Sequence, residues 1–197
     1  MLYLARHCQT DWNREPARCQ GWAETELNET GRDQARDLGR ALEDRGIELI
    51  VTSHLVRARE TARIVHEMLG ARLPLIVDPR LAESHRGEWE TRRFSSIIRN
   101  QPETWAHYHE HPETFRFPGG ESLAAQQRRV LACLRDCVLD GRTALLVTHG
   151  GSIRLVRCFL DGKGIEAFHT ATTTPGELHE IVTEGLAEDI ASYLEKS

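Results

Sequence analysis

The chain of 197 residues has the length of one ordinary α/β domain and is long enough to bury a substantial core. Its net charge of -5 and pI near 6.1 exclude a general attraction to nucleic acid or to an anionic membrane, so any anion chemistry must rest on a local cluster of basic groups. Five cysteines, an odd number without regular disulfide spacing, read as reduced thiols of a cytoplasmic protein, and the N-terminal apolar run is too short for a signal sequence or a membrane span.

Leu2-Tyr3-Leu4-Ala5 reads as a short buried strand that delivers Arg6 and His7 to its carboxyl end, with the polar residues Asp11 and Asn13 following. Asn28 caps a helix in which Ala35, Leu38, Gly39 and Leu42 recur until Arg45-Gly46 ends the pattern. Leu49-Ile50-Val51-Thr52 follows as a strand. Ala58, Ala62, Val65 and Leu69 then mark one face of a second helix, and Leu75-Ile76-Val77 before Asp78-Pro79 makes a third strand. From Arg80 to Ser122 the regularity weakens around Pro102, Pro112 and Pro118-Gly119-Gly120. The segment 80–122 reads as a lid-like insertion over the mouth of a site, within a single domain spanning 1–197. Leu123, Val130, Leu134 and Val138 mark a long helix feeding a strand at Ala144–Val147. Ile153, Val156 and Leu160 mark the helix after it, Gly176 to Val182 a last strand, and Leu186, Ile190 and Leu194 a terminal amphipathic helix. Strands alternating with helices predict a mostly parallel sheet.

Two of these strands end in a histidine, since Ala144-Leu145-Leu146-Val147 runs into Thr148-His149-Gly150-Gly151 much as the first runs into Arg6-His7. In open α/β sheets ligands bind in the crevice beyond the carboxyl ends of the strands. The two histidines are therefore expected to share one site.

Four motifs sharpen that expectation: Arg6-His7-x-x-Thr10-x-x-Asn13, Ser53-x-Leu55-x-Arg57-Ala58-x-x-Thr61-Ala62, Leu81-x-Glu83-x-x-x-Gly87-x-Trp89-Glu90 and Thr148-His149-Gly150-Gly151. In this order, over most of the chain, they resemble the histidine phosphatase superfamily, also called phosphoglycerate-mutase-like. The resemblance implies a three-layer α/β/α sandwich, a small phosphorylated substrate, and neither cofactor nor metal. It also implies no nucleic-acid or membrane partner, and the family often forms homodimers. Phe117-Pro118-Gly119-Gly120-Glu121-Ser122 is similar to the phosphatase branch, so hydrolysis is the expected reaction. A mutase-type phosphotransferase is the first alternative and a non-catalytic phosphate- or phosphoprotein-binding module the second.

The chemistry required of such a site fits the residue types. A neutral imidazole, His7, can attack phosphorus and divide one difficult transfer into two easier ones. The phosphoryl oxygens then need donors around them, which Arg6, Arg57, Asn13, His149 and the backbone N–H of Gly150 can supply. His149 is expected to act mainly as a protonated donor. Glu83 is assigned by the resemblance to the proton transfers at the leaving alcohol and the attacking water. Gln20-Gly21 is a further expected substrate contact.

Three residues depart from the family pattern. Cys8 stands where a glycine usually follows Arg-His, Gln9 replaces a glutamate, and Thr91 replaces the glycine that often follows Trp-Glu. Cys8 also opens a Cys-x5-Arg spacing ending at Arg14, the spelling of cysteine-dependent phosphatases. That loop holds no glycine and a bulky Trp12, which argues against an anion-wrapping turn. His107-Tyr108-His109-Glu110-His111 invites a metal reading, but its flanking prolines suggest a surface loop lining the mouth. Arg92-Arg93 reads as a solvated face.

Overall fold

Strand β1 (Leu2–Arg6) is buried along its apolar length and pairs in parallel with β4 (Ala144–Thr148), placing Arg6 opposite Thr148. In the computed structural model, which describes residues 1–196, β2 (Leu49–Thr52) flanks β4 on its other side and pairs in parallel with β3 (Leu75–Val77). The last strand, β5 (Leu178–Ile181), runs antiparallel to β1, and the sheet order is β3-β2-β4-β1-β5.

Alternation along the strands sends side chains to two faces and so builds two separate apolar layers. Leu2, Leu4, Leu49, Val51 and Leu146 pack under α5 (Leu123–Asp140), α6 (Gly150–Leu160) and α7 (Leu186–Lys196). Tyr3, Ala5, Ile50, Leu145 and Val147 pack under α1 (Glu29–Leu42) and α2 (Val56–Met68). This is the expected sandwich. The cap expected at Asn28 is present, its side chain accepting the Gly31 amide at 2.9 Å. Strand β3 differs from its reading as an ordinary apolar strand: it sits at the sheet edge, and Leu75, Ile76 and Val77 are 37%, 46% and 46% exposed.

The segment 80–122 contains α3 (Phe94–Asn100) and α4 (Pro102–Glu110). Its side chains Trp89, Ile97, Tyr108, Phe115 and Phe117 form a third apolar cluster with Leu155, Cys158 and Phe168, so the segment is packed onto α6 rather than draped over it. The loop expected at 107–111 is corrected to the end of α4. Pro102 occupies its first turn, where no backbone N–H is needed, and Pro112 lies beyond its end. Helical spacing sends His109 away from the other two: His107 meets the Thr114 hydroxyl at 3.1 Å and the His111 ring at 5.9 Å, while His109 stacks on His169 at 4.2 Å. Among the described residues no helix is long and apolar enough to cross a membrane.

Candidate active site

Three neighbouring parallel strands each end one residue before a polar side chain of the site: His7 after β1, Ser53 after β2 and His149 after β4. The ladder continues one step past each end, with the His7 amide donating to Thr148 O at 2.8 Å and the Ser53 amide to Val147 O at 3.0 Å. The two imidazoles therefore meet, their centroids 5.1 Å apart and tilted by 56°.

Nδ1 of His7 lies 2.8 Å from Cys8 O, and a carbonyl can only accept, so Nδ1 carries the hydrogen and Nε2 keeps its lone pair. Burial, then Arg57 and Arg6, push His7 well below the ordinary histidine value. His149 places Nε2 2.8 Å from Ser53 Oγ, while its Nδ1 is buried without a partner among the described residues. Burial, Arg57 and His7 push it well below its ordinary value too. Burial and the neighbouring cations thus favour a neutral ring over the protonated donor expected from the sequence.

The cationic cage comes from separate elements. Arg57, in the first turn of α2, is fully buried and donates from its terminal nitrogens to Gly21 O at 2.6 Å and Ala23 O at 3.0 Å. Burial lowers it to about 10, so it stays cationic at neutral pH. Arg6 donates to Thr173 O at 2.5 Å, and burial lowers it as well. Nε of both arginines and Nδ2 of Asn13 are buried donors with no partner among the described residues. Asn13 Oδ1 accepts the Thr10 amide at 3.0 Å, which fixes its orientation. Gln20 and Gly21 border the cavity, where Gly21 has φ 53° and a side chain would strike Glu90.

Glu83 faces the same cavity and is held by Gly151 of the fourth motif together with residues that sequence reading did not single out. Its Oε1 accepts from Gln126 Nε2 and from the Ser84 amide, each at 3.0 Å, and its Oε2 accepts from the Gly151 amide at 3.0 Å. Arg86 stands 3.7 Å from Oε2. Burial alone would raise the carboxyl, but Arg86, the Gly151 amide and Gln126 outweigh it and hold it down at about 2. Arg129 on α5 donates to the carbonyls of Arg80, Ala82 and Glu83 at 2.8, 2.6 and 2.9 Å, fixing the backbone that presents the carboxylate. The Trp22 indole donates to Glu83 O at 2.8 Å, and Glu90 Oε1 accepts from the Trp22 and Arg86 amides at 2.8 and 2.9 Å. A signal for one of these existed: Gln126 shares the 126-130-134 face of α5 with Val130 and Leu134, a polar residue in an apolar stripe.

The cavity measures about 350 Å³ and is lined by the polar groups of Arg6, His7, Arg57 and Glu83, by Gly150 and Gly151, and by aromatics that include Trp105 and Tyr108. Segment 80–122 supplies Glu83, Arg86, Phe94, Trp105, Tyr108 and His109 to that lining. His149 stands behind His7, outside the lining. Cys8 is also outside it, packed with Leu27, Ala35 and Ile64, and burial raises its thiol to about 12. Arg14 is exposed near Asp11, so the Cys-x5-Arg spelling does not form an anion loop. Thr91 keeps a left-handed backbone with φ 67°, the conformation a glycine would adopt more easily.

Comparison with known proteins finds relatives over most of the chain. A profile described as Histidine phosphatase superfamily (branch 1) matches residues 2–194. A protein of Hydrogenobacter thermophilus provisionally named phosphoserine phosphatase 2 is 32% identical over 196 residues, covering 99% of this chain and 95% of that protein. A protein of Enterobacter sp. provisionally named phosphoglycerate mutase GpmB is 38% identical over 152 residues, covering 76% and 69%. The solved mycobacterial glucosyl-3-phosphoglycerate phosphatase superposes with a TM-score of 0.80 at 31% identity, covering 90% of this chain and 87% of that one.

Proposed function

This chain belongs to the histidine phosphatase superfamily (branch 1), a family of enzymes, and from that premise we propose that it hydrolyses a small phosphomonoester through a phosphoryl group carried on Nε2 of His7. The observation that carries the proposal is the Nδ1 contact of His7 with Cys8 O at 2.8 Å, which leaves Nε2 unprotonated and aligned as the nucleophile.

Attack by Nε2 forms the P–N bond as the ester P–O bond breaks. Arg6, Arg57 and Asn13 donate to the phosphoryl oxygens as charge spreads over them. Ser53 donates its hydroxyl hydrogen to His149 Nε2, which puts the ring hydrogen on Nδ1 and keeps His149 neutral against the His7 ring. Glu83 is ionised in this structure, and a phosphate dianion beside it favours proton uptake. The bound ester thereby converts it into the acid that protonates the leaving oxygen. In the second half the same carboxylate takes a proton from the water that attacks phospho-His7.

Hydrolysis, rather than return of the phosphoryl group to an alcohol, is supported by the resemblance of 117–122 to the phosphatase branch. That turn is tied beside Glu83, with the Glu121 amide on His85 O at 2.9 Å and the Glu88 amide on Pro118 O at 2.9 Å. The mutase reading stays second on the strength of the Enterobacter relative's name. We place the enzyme in the cytoplasm, where its buried, unpaired cysteines stay reduced.

The test is to mix the protein with a radiolabelled phosphomonoester and quench in alkali, where phospho-histidine survives. Label on the peptide holding His7, absent from His7→Ala, is the expected result. Label on Cys8, or phosphate release undiminished in His7→Ala, overturns the mechanism.

A further inference from the structure

We propose that the cavity contains a second anion subsite, built on Arg154, for a carboxylate carried by the alcohol part of the ester. The inference deepens the phosphatase reading above and rests on it. Arg154 lies in the second turn of α6 and lines the same cavity as His7. Its guanidinium stands over the Phe168 ring at 5.6 Å, and its Nε is buried with no partner among the described residues. The other cavity arginines with buried charge are tethered: Arg57 to two carbonyls, Arg6 to Thr173 O, and Arg86 to Glu83. Among the described residues Arg154 has no ion pair and no hydrogen bond.

Charge counting says what is missing. A phosphate dianion offsets two of the four guanidiniums of Arg6, Arg57, Arg86 and Arg154, and Glu83 a third only until it takes up its proton, which leaves at least one positive charge in a cavity that Trp12, Phe94, Trp105 and Tyr108 help to line. Arg154 is near enough to Arg6 for their charges to oppose each other, so an anion between them relieves repulsion as well as desolvation. His109 and His169, which also lie near it, are held toward the neutral form by burial and add no further positive charge. A single negative charge of planar, two-oxygen geometry matches the guanidinium fork, which selects a carboxylate. Trp105 and Tyr108 line the space in which the connecting carbons would pack. A cavity of about 350 Å³ lies at the small end for ligand sites and suits a compact metabolite.

The experiment compares carboxyalkyl phosphates with one, two or three methylenes against ethyl, propyl and butyl phosphate, following phosphate release. At the best chain length the acid should show kcat/KM at least tenfold above its alkyl partner, with the gain in KM. That ratio should shrink at least tenfold in Arg154→Gln and partly recover in Arg154→Lys. A ratio near one in the parent, or a ratio unaltered in Arg154→Gln, overturns the subsite. The melting shift given by each pair on His7→Ala reads the same preference without turnover, and absence of any preference there also overturns it. Failure of the parent to release phosphate from every ester and from p-nitrophenyl phosphate would instead strike the phosphatase reading, while the binding comparison still decides the subsite.

Discussion

The amide of Gly151 donates to Oε2 of Glu83 at 3.0 Å, and a methyl group on that glycine would lie 2.2 Å from Oε1. The second glycine of Thr148-His149-Gly150-Gly151 therefore serves the carboxylate, while Gly150 borders the cavity beside Arg6. Gly151→Ala should displace Glu83 and lower kcat by roughly ten- to a hundredfold, since general acid–base help is typically worth 10²–10⁴ and is only partly lost. A steady-state assay with p-nitrophenyl phosphate checks it; full activity would show that Glu83 needs no such support.

A Ser53 hydroxyl that donates to His149 Nε2, 2.8 Å away, leaves the ring hydrogen on Nδ1. Ser53→Ala leaves a buried ring nitrogen without a partner, at a cost of about 1–3 kcal/mol, and should also cut kcat by about tenfold. Denaturant melts and turnover together test this, and loss of stability with turnover intact would remove His149 from the mechanism.

Acidification should destabilise the fold in two stages. His7 and His149 stay neutral when folded but take up protons near pH 6.5 when unfolded, so stability is present above that value and falls as pH drops through it, by up to about 1.4 kcal/mol per pH unit for each ring. Glu83, ionised down to about 2 when folded against an ordinary 4.5, adds a further loss between those values. Urea midpoints at pH 7.5, 6 and 5 should fall in that order, and more gently in His7→Gln. A flat series would contradict the buried, neutral imidazoles.

The thiol of Cys8 is buried and raised to about 12. The native protein should resist alkylation at this cysteine at pH 8, and Cys8→Ser should retain turnover within a few-fold. Mass spectrometry after iodoacetamide treatment measures the first, and rapid labelling would mean that the site opens far more than this packing allows.

Thr91 holds a left-handed backbone on an exposed turn, with its amide donating to Cys19 O at 2.8 Å. Relief of that conformation, less the extra chain entropy of glycine, predicts that Thr91→Gly gains about 0.5–1 kcal/mol. Thermal melts of the two proteins decide, and a lower melting point in the glycine variant would refute it.

The sequence made legible what short-range patterns encode. Apolar runs located all five strands, Asn28 announced a cap, and the polar residue after each histidine-bearing strand pointed to the crevice. Arg86, Gln126, Arg129 and Arg154 were missed because their roles depend on which helix face meets the crevice, a tertiary fact. The burial that favours a neutral His149 leaves no local mark in the sequence either. The helix at 102–110 was misread although its flanking prolines fit a helix start and a position beyond a helix end, because the alternating histidines drew attention to period two instead. The edge position of β3 is likewise a property of strand order.

Trp22 is 43% exposed, touches the rings of His54 and His85, and hydrogen-bonds the main chain of Glu83. The protein thus carries its own optical reporter. Any movement of the carboxylate segment during turnover alters the surroundings of that indole, so stopped-flow fluorescence can time the proton-transfer group without a label once Trp12 and Trp105, which line the cavity, are replaced by phenylalanine, while the fully buried Trp89 contributes a steady background.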